Sequence, residues 1–357
     1  MATRAGRPRA ATMADIADEL GLSVPTISRA LRDHPDVGVK TKETVRAVAD
    51  RLGYRISPAG RALRTGRYDT ISFVIPLNLI GWWEPLLRGA GHAAAINGFR
   101  LTLNPVDDAY LQSMNDQAPL LGDDLTSFFA RSAGQPIDGF VVVSPTDDDW
   151  KPTALATGAP VVIIDDLRPH PGFHVWASEN HDSAKDGIVR LISSGRKRIV
   201  ALSPTSAFTG LALDERLAGY TEAMEDAGLE PLILDSDETY PASHLTSNAI
   251  DGLLEAGREF DGVFCPVDFA AFAVFRSLRR AGLTVPEDVA VLGFDGDPAA
   301  LALDPPLSTV AQRFDEIGAG AVTTLIDLIR SDDSDKAPAA APRTHLIPPV
   351  FIERSST

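Results

Sequence analysis

Apolar side chains near the start of the chain recur with the period of a helix. Four of them share one face at positions i, i+3, i+4 and i+7: Met13, Ile16, Ala17 and Leu20. Thr12 and Asp15 form a T-x-x-D start that caps this helix, and Gly21 ends it. A second helix follows at once, with Ser23 as its cap and Pro25 in its first turn. A third helix is predicted over 41–52.

From Thr70 onward, short β-branched runs alternate with helical segments. The six clearest runs are TISFVIP (70–76), GFVVVS (139–144), PVVIID (160–165), RIVALS (198–203), GVFCP (262–266) and VAVLGF (289–294). This alternation predicts parallel sheets covered by helices on both faces, which bind ligands beyond the carboxyl ends of their strands. Because about 290 residues are many for one sheet, we expect two lobes.

Composition indicates a globular protein of the reducing cytoplasm. The chain has 357 residues, of which 44% are hydrophobic, and Cys265 is its only cysteine, so no disulfide framework is possible. A secretory signal has an apolar run after its basic start, and this chain has none there. No apolar segment is long enough to span a membrane. We therefore expect a cytoplasmic protein without a membrane partner.

Charge divides the chain into a basic head and an acidic body. The net charge is −16, yet residues 1–68 hold 13 Lys and Arg against 7 Asp and Glu, while the rest holds 20 against 42. This asymmetry predicts that only the head meets a polyanion. The alternative is a basic tail with no role, but many of the cations lie within patterned sequence.

Several motifs together resemble the LacI/GalR family of bacterial transcription regulators. They are ATMADIADELGLSVPTISRAL, GYRISPAGRALRTGR, GRKRIVALS followed by DERLAGYTEAMEDAGL, AGLTVPEDVAVLGFDGDP, DPPLSTV and IPPVFIERSS. The resemblance implies an all-α helix-turn-helix DNA-binding domain over 1–57, a hinge over 58–69 and an α/β two-lobed periplasmic-binding-protein-like core over 70–357. The expected N-lobe comprises 70–166 and 310–330, and the expected C-lobe comprises 167–309 and 331–357.

In a helix-turn-helix the second helix lies in the major groove. With Ile27 and Leu31 facing inward, Arg29 points outward, and its guanidinium suits a bidentate contact with guanine. The alternative for Arg29 is a solvated surface cation. The other residues expected to contact DNA in this domain are Thr12, Ser23, Val24, Pro25, Thr26 and Ser28.

The resemblance also implies a hinge helix that inserts a leucine into the minor groove. Leu63 matches that wedge, and Arg61 and Arg64 flank it with charges for phosphates. Gly60 stands where the family more often has Ala, which makes this helix harder to order. The alternative for Leu63 is interdomain packing.

For the core, the resemblance implies a small-molecule effector between the lobes. The matching or candidate contacts are Trp82, Trp83, Asp165, Arg216, Tyr240, Asp268 and Asp295. Carboxylates and a planar guanidinium suit sugar hydroxyls, and aromatic rings offer faces for a pyranose. The alternatives are core packing for each Trp and an ordinary salt bridge for Arg216. Val267 and Glu179 depart from the family pattern, so the effector is not expected to be read as in the best-known sugar repressors.

The sequence therefore predicts a ligand-responsive DNA-binding regulator, a repressor, that acts as a homodimer on a pseudo-palindromic double-stranded operator. The expected effector is a sugar or sugar derivative. A non-sugar metabolite (a nucleoside, or a phosphorylated or carboxylated compound) stays open, as does a solute-binding protein without a DNA role. No nucleotide-binding glycine loop, nucleophile elbow or Cys/His metal spacing is present, so neither an enzyme nor a cofactor or metal is expected.

Overall fold

The computed structural model describes residues 11–54, 67–76, 84–107, 124–145, 147–204, 211–236, 248–331 and 341–357. The chain divides into two units, Met1–Tyr68 and Asp69–Thr357. Most of the expected hinge over 58–69 lies outside the described residues, so its bounds and those of the DNA-binding domain stay predictions.

The first unit is a bundle of three helices, α1 (Met13–Leu20), α2 (Val24–Leu31) and α3 (Val39–Arg51). Its buried core comprises Ile16, Ala17, Ile27, Ala30, Val37, Val45, Val48, Ala49 and Tyr54, and the predicted Met13, Leu20 and Leu31 pack against it partly buried. The capping box of Thr12 and Asp15 and the left-handed Gly21 are confirmed. Helix α3 begins earlier than predicted, after Gly38, which provides no side-chain cap.

The second unit contains twelve strands and eight α-helices within its described residues. The strands are β1 (Thr70–Pro76), β2 (Arg100–Val106), β3 (Gly139–Val143), β4 (Val161–Ile164), β5 (His174–Ser178), β6 (Ile199–Pro204), β7 (Leu232–Ser236), β8 (Gly262–Phe264), β9 (Ala290–Asp295), β10 (Ser308–Ala311), β11 (Thr344–Ile347) and β12 (Val350–Ile352). The helices are α4 (Glu84–Ile96), α5 (Leu125–Ser132), α6 (Lys151–Ala156), α7 (His181–Ser193), α8 (Leu211–Asp226), α9 (Asn248–Glu255), α10 (Asp268–Arg280) and α11 (Phe314–Ser331), and Pro298–Ala302 forms a 3₁₀ turn.

The strands form two six-stranded sheets, one in each lobe. The first has the order β11-β5-β4-β3-β1-β2, and the second has the order β12-β10-β9-β8-β6-β7. All described pairings are parallel except that of β12 with β10. Apolar clusters cover both faces of each sheet, which confirms the predicted two-lobed parallel architecture.

The lobe bounds differ from the prediction at two strands. The sequence places 167–309 and 331–357 in the C-lobe, but β5 pairs with β4, and β11 pairs with β5, in the first sheet. Both runs are short and mixed in polarity, HVWAS and THLI, so neither shows the apolar signature of a central strand. The chain therefore crosses between the lobes after β5, after β10 and after β11.

Helices α4 and α11 pack closely against each other on one face of the first sheet because glycines lie at their contact. A Cβ on Gly89 would lie 1.9 Å from the carbonyl oxygen of Asp315, and one on Gly318 would lie 2.2 Å from that of Leu86.

Among the helices that the structure describes, none combines the length and apolar character needed to cross a bilayer.

Candidate functional site

Helix α2 exposes one face opposite the side that it buries in the first unit. Ile27 and Ala30 are fully buried, whereas 44% of Val24 is exposed. Arg29, the predicted base contact, is exposed. The other predicted contacts within this helix are exposed or half-buried: Pro25, Thr26 and Ser28. This face has the accessibility that entry into a major groove requires.

Two predicted DNA contacts also hold the starts of the helices. The Thr12 hydroxyl donates to Oδ2 of Asp15 at 2.8 Å and accepts from the Asp15 amide at 3.3 Å. The Ser23 hydroxyl accepts from the Thr26 amide at 3.3 Å. Their capping roles are confirmed, and their contacts with DNA stay predictions. Six further predicted site residues lie outside the described residues: Arg61, Leu63, Arg64, Trp82, Trp83 and Tyr240.

Three strained residues mark the carboxyl ends of strands in the two lobes. Ser144 follows β3 with a φ of 44°, Asp165 follows β4 with a φ of 58°, and Asp295 ends β9 with a φ of 126°. Each is a non-glycine residue in a region that costs about 1–3 kcal/mol and is found mostly at functional sites. The strain therefore points to the same strand ends at which this fold class binds ligands.

Arg216 on α8 forms the centre of the cluster in the second lobe. Its Nε donates to Oδ1 of Asn180 at 2.8 Å, and its Nη1 donates to Oδ1 of Asp295 at 3.0 Å and to the carbonyl oxygen of Pro266 at 2.7 Å. The guanidinium also lies 4.0 Å from the ring centroid of Phe294. The guanidinium is buried, so Arg216 forms an ion pair inside the cleft rather than a surface salt bridge.

Asp295 is the most perturbed carboxyl group of the site. Burial raises its pKa to about 8; Arg216 opposes that rise, while Asp268 adds to it. Its Oδ1 accepts from Arg216 and, at 2.7 Å, from Nε2 of Gln312. Among the described residues, none donates a hydrogen bond to its buried Oδ2. A buried carboxyl oxygen of this kind is a place for a ligand hydroxyl to bond, accepting from it when ionised and donating to it when protonated.

Asp165 belongs to the same site although it lies in the first lobe. Burial raises its pKa to about 6, and Arg216 of the second lobe is close enough to oppose that rise. Its Oδ2 accepts from the Ser144 hydroxyl at 3.2 Å. The structure thus brings together three of the predicted effector residues, Asp165, Arg216 and Asp295, from both lobes.

The fourth, Asp268, is hydrogen-bonded within the second lobe. It is fully buried, and its Oδ1 accepts from the Thr309 hydroxyl at 2.7 Å. Its Oδ2 accepts from the amides of Gly296 and Asp297, both at 2.8 Å. Its carboxylate therefore fixes the loop after β9, next to Asp295, and its contact with an effector stays a prediction.

Several polar residues of the cluster are not among those predicted from the sequence. Ser144 ends a predicted strand, and the preference of ligands for the carboxyl ends of strands could have identified it. Gln312 follows β10, which the apolar runs do not reveal. Asn180 directly follows Glu179, one of the departures from the family pattern, but is not itself among the predicted contacts. Within the described ranges, no group of three His, Cys, Asp or Glu side chains is arranged to hold a metal ion.

Two family models match the chain and together cover more than half of it. The model for bacterial regulatory proteins of the lacI family matches residues 12–57, the three-helix unit. The model for the periplasmic binding protein-like domain matches residues 188–357. The chain belongs to the lacI family. Membership in that family agrees with the helical head and the two parallel-sheet lobes, and it makes the chain a transcriptional regulator.

Similar lacI-family proteins span nearly the full chain. The HTH-type transcriptional regulator CelR of Thermobifida fusca is 29% identical, over 92% of this chain and 95% of that protein. The HTH-type transcriptional repressor CytR of Escherichia coli K12 is also 29% identical, over 89% of each.

Solved structures repeat the same architecture. A complex of the regulator CelR with cellobiose has a TM-score of 0.67 at 27% identity and covers 98% of this chain and 100% of that one. The Lac repressor dimer bound to operator and the anti-inducer ONPF has a TM-score of 0.79 at 20% identity, with 98% and 99% covered. The second likeness bears on the fold alone.

Proposed function

We propose that this protein is a repressor that binds a pseudo-palindromic operator as a homodimer and is controlled by an uncharged sugar bound between the core lobes. The observation that carries the proposal is the convergence of strained Asp165 and Asp295 with Arg216 at the facing strand ends. Strain of this kind persists only where the surrounding structure holds it, which favours a preorganised binding site over an irregular loop without a function.

The exposed face of α2 supports the DNA-binding half of the proposal. Arg29 is the residue there that can read a base pair by two hydrogen bonds. The related CytR is named a repressor, and a Lac repressor dimer of the same fold was solved on its operator. A dimer would place two copies of α2 on two half-sites.

The charges of the cleft favour a neutral effector over an acidic one. Two carboxyl groups, Asp165 and Asp295, flank the buried guanidinium of Arg216, and a third, Asp268, is buried beside Asp295. A phosphate or carboxylate on the effector would add negative charge in a poorly solvated place. A sugar hydroxyl can bond to Oδ2 of Asp295 in either protonation state without that cost, and the related CelR was solved with cellobiose.

The DNA half is tested by selecting operators from a palindromic library and measuring fluorescence anisotropy with the selected site. R29A is expected to weaken specific binding by about tenfold or more, because one bidentate base contact is worth about 1–3 kcal/mol. The matched control is R46A, which removes an exposed cation of α3 that pairs with Asp33. Equal losses for the two variants would reduce Arg29 to a general electrostatic role.

The effector half is tested by adding cellobiose, glucose, ribose and glucose 6-phosphate to the same assay. One neutral sugar is expected to shift operator affinity, and the phosphate ester is expected to have no effect. R216K keeps the charge but loses the fork of donors, so the sugar response should disappear. A response to the phosphate ester alone would overturn the sugar assignment and leave the DNA-binding proposal standing.

A further inference from the structure

Five polar residues of the core form a closed ring of hydrogen bonds. The Ser178 hydroxyl donates to Oε1 of Gln312, and Nε2 of Gln312 donates to Oδ1 of Asp295 at 2.7 Å. The same Oδ1 accepts from Arg216, whose Nε donates to Oδ1 of Asn180 at 2.8 Å. Nδ2 of Asn180 donates to the carbonyl oxygen of Ser178 at 3.1 Å, which closes the ring.

The ring lies where the chain passes between the lobes. Ser178 and Asn180 lead from β5 in the first sheet to α7, and Gln312 leads from β10 in the second sheet to α11. The third crossover joins them, because the Glu179 amide donates to the carbonyl oxygen of Ile347 at 3.0 Å. A change in the ring therefore acts on the segments that set how the lobes are oriented.

One member of the ring keeps an oxygen without a protein partner. Ser178, Asn180 and Arg216 are buried and bonded within the ring, while Oδ2 of Asp295 has no partner among the described residues. The two oxygens of a carboxyl group are electronically coupled, so a ligand hydroxyl that bonds to Oδ2 changes the strength of Oδ1 as an acceptor. Because bonded groups polarise one another, that change passes first to Gln312 and Arg216.

We propose that Gln312 is the positioning residue that couples Asp295, at the effector site, to Ser178, at the first crossover. The proposal rests on the proposed function for its biological meaning, but the coupling itself is a property of the free protein. The side chain of Gln312 bonds both partners at once. The backbone N–H of Gln312 also donates to the carbonyl oxygen of Asp295 at 3.0 Å. By reciprocity, a change at Ser178 must also be felt at Asp295.

S178A probes this coupling cleanly. The Ser178 hydroxyl donates only to Gln312 among its described contacts, whereas its carbonyl oxygen, which Asn180 uses, is unchanged by the substitution. Any effect of S178A on the second lobe through the ring therefore passes through Gln312. The amides of Gly296 and Asp297 report on it, since both donate to Asp268 beside Asp295.

The experiment is hydrogen exchange of the full-length protein, free of effector, read at residues 295–297. S178A is expected to speed exchange there by about threefold or more, the effect of losing one ordinary hydrogen bond. In a Q312M background, which keeps the volume but not the polar groups, the same substitution should change exchange by less than about 1.5-fold. Q312N, which keeps the amide but is too short to reach both partners, provides a second background.

T324V is the matched control, because it removes the bond that Nε1 of Trp176 donates to Thr324 at 3.2 Å, away from the ring. It should lower thermal stability without changing exchange at 295–297. The proposal is overturned if S178A leaves residues 295–297 unchanged, or if it speeds their exchange equally with and without Gln312. It is also overturned if T324V has the same effect as S178A.

A second arm uses cellobiose and the operator assay. Where cellobiose shifts operator affinity, Q312M should reduce that shift by a larger factor than it reduces cellobiose affinity; equal factors would contradict the coupling role. If cellobiose shifts nothing, the sugar assignment fails for that probe, and the exchange experiment still decides the role of Gln312.

Discussion

Replacing Asp165 with asparagine removes one charge from the cleft and keeps the shape of the side chain. Asparagine is also among the residues that best tolerate a left-handed backbone, which Asp165 adopts with a φ of 58°. The Ser144 hydroxyl, 3.2 Å from Oδ2, can still donate to the amide oxygen. The substitution therefore isolates the electrostatic cost of the carboxylate.

That cost follows from the shift in the pKa of Asp165 from 3.8 to about 6, caused mainly by burial. Because the folded pKa lies above the unfolded one, the folded state binds the proton more tightly. The contribution of Asp165 to stability is thus fully present below about pH 4 and is lost as the pH rises through 6. Two pKa units correspond to about 3 kcal/mol at neutral pH, an upper bound for this site.

D165N should escape this loss, so its advantage over the wild type should grow by up to about 2 kcal/mol between pH 4.5 and pH 7.5. At roughly 2–4 °C per kcal/mol, calorimetry should show the difference in Tm rising by several degrees over that range. D149N, at an exposed position of the same lobe, is the control and should show no such growth. A D165N difference that stays constant or shrinks with pH would refute the reasoning.

Four further substitutions test the packing and the capping of helices. G89A should lower the Tm of the core, at a cost of about 1–3 kcal/mol or more, because its Cβ would lie 1.9 Å from the carbonyl oxygen of Asp315. On the same helix, G91A meets nothing within 4 Å and should instead stabilise by about 0.5–1 kcal/mol; similar effects for both would contradict the close helix contact. G38S supplies the missing cap of α3 and should stabilise the first unit by a few tenths of a kcal/mol in urea unfolding followed by circular dichroism. T12A removes a formed capping box and should cost about 0.5–2 kcal/mol in the same assay. The loss of stability in T12A should therefore exceed the gain in G38S.

Local physics made much of this protein predictable from its sequence. The helices of the first unit follow from an apolar period, a T-x-x-D start and glycine stops, all of which act within a few residues. The six predicted strands are confirmed within two residues at each end, because buried parallel strands read as continuous apolar runs. Helix α2 and its outward Arg29 follow in the same way.

The tertiary structure decided what depends on residues far apart in the chain. Strands β5 and β11 belong to the first sheet because of their neighbours, and their short mixed sequences do not carry that information. Asp268 and Asp295 look alike as carboxyls near strand ends. Three donors from distant parts of the chain bond Asp268, whereas Oδ2 of Asp295 has no partner among the described residues. Burial, which raises the pKa of Asp165 and Asp295, is likewise a property of the assembled lobes. Sequence periodicity fixes which face of an element is apolar, but only packing determines which polar groups lose their water and which partners replace it.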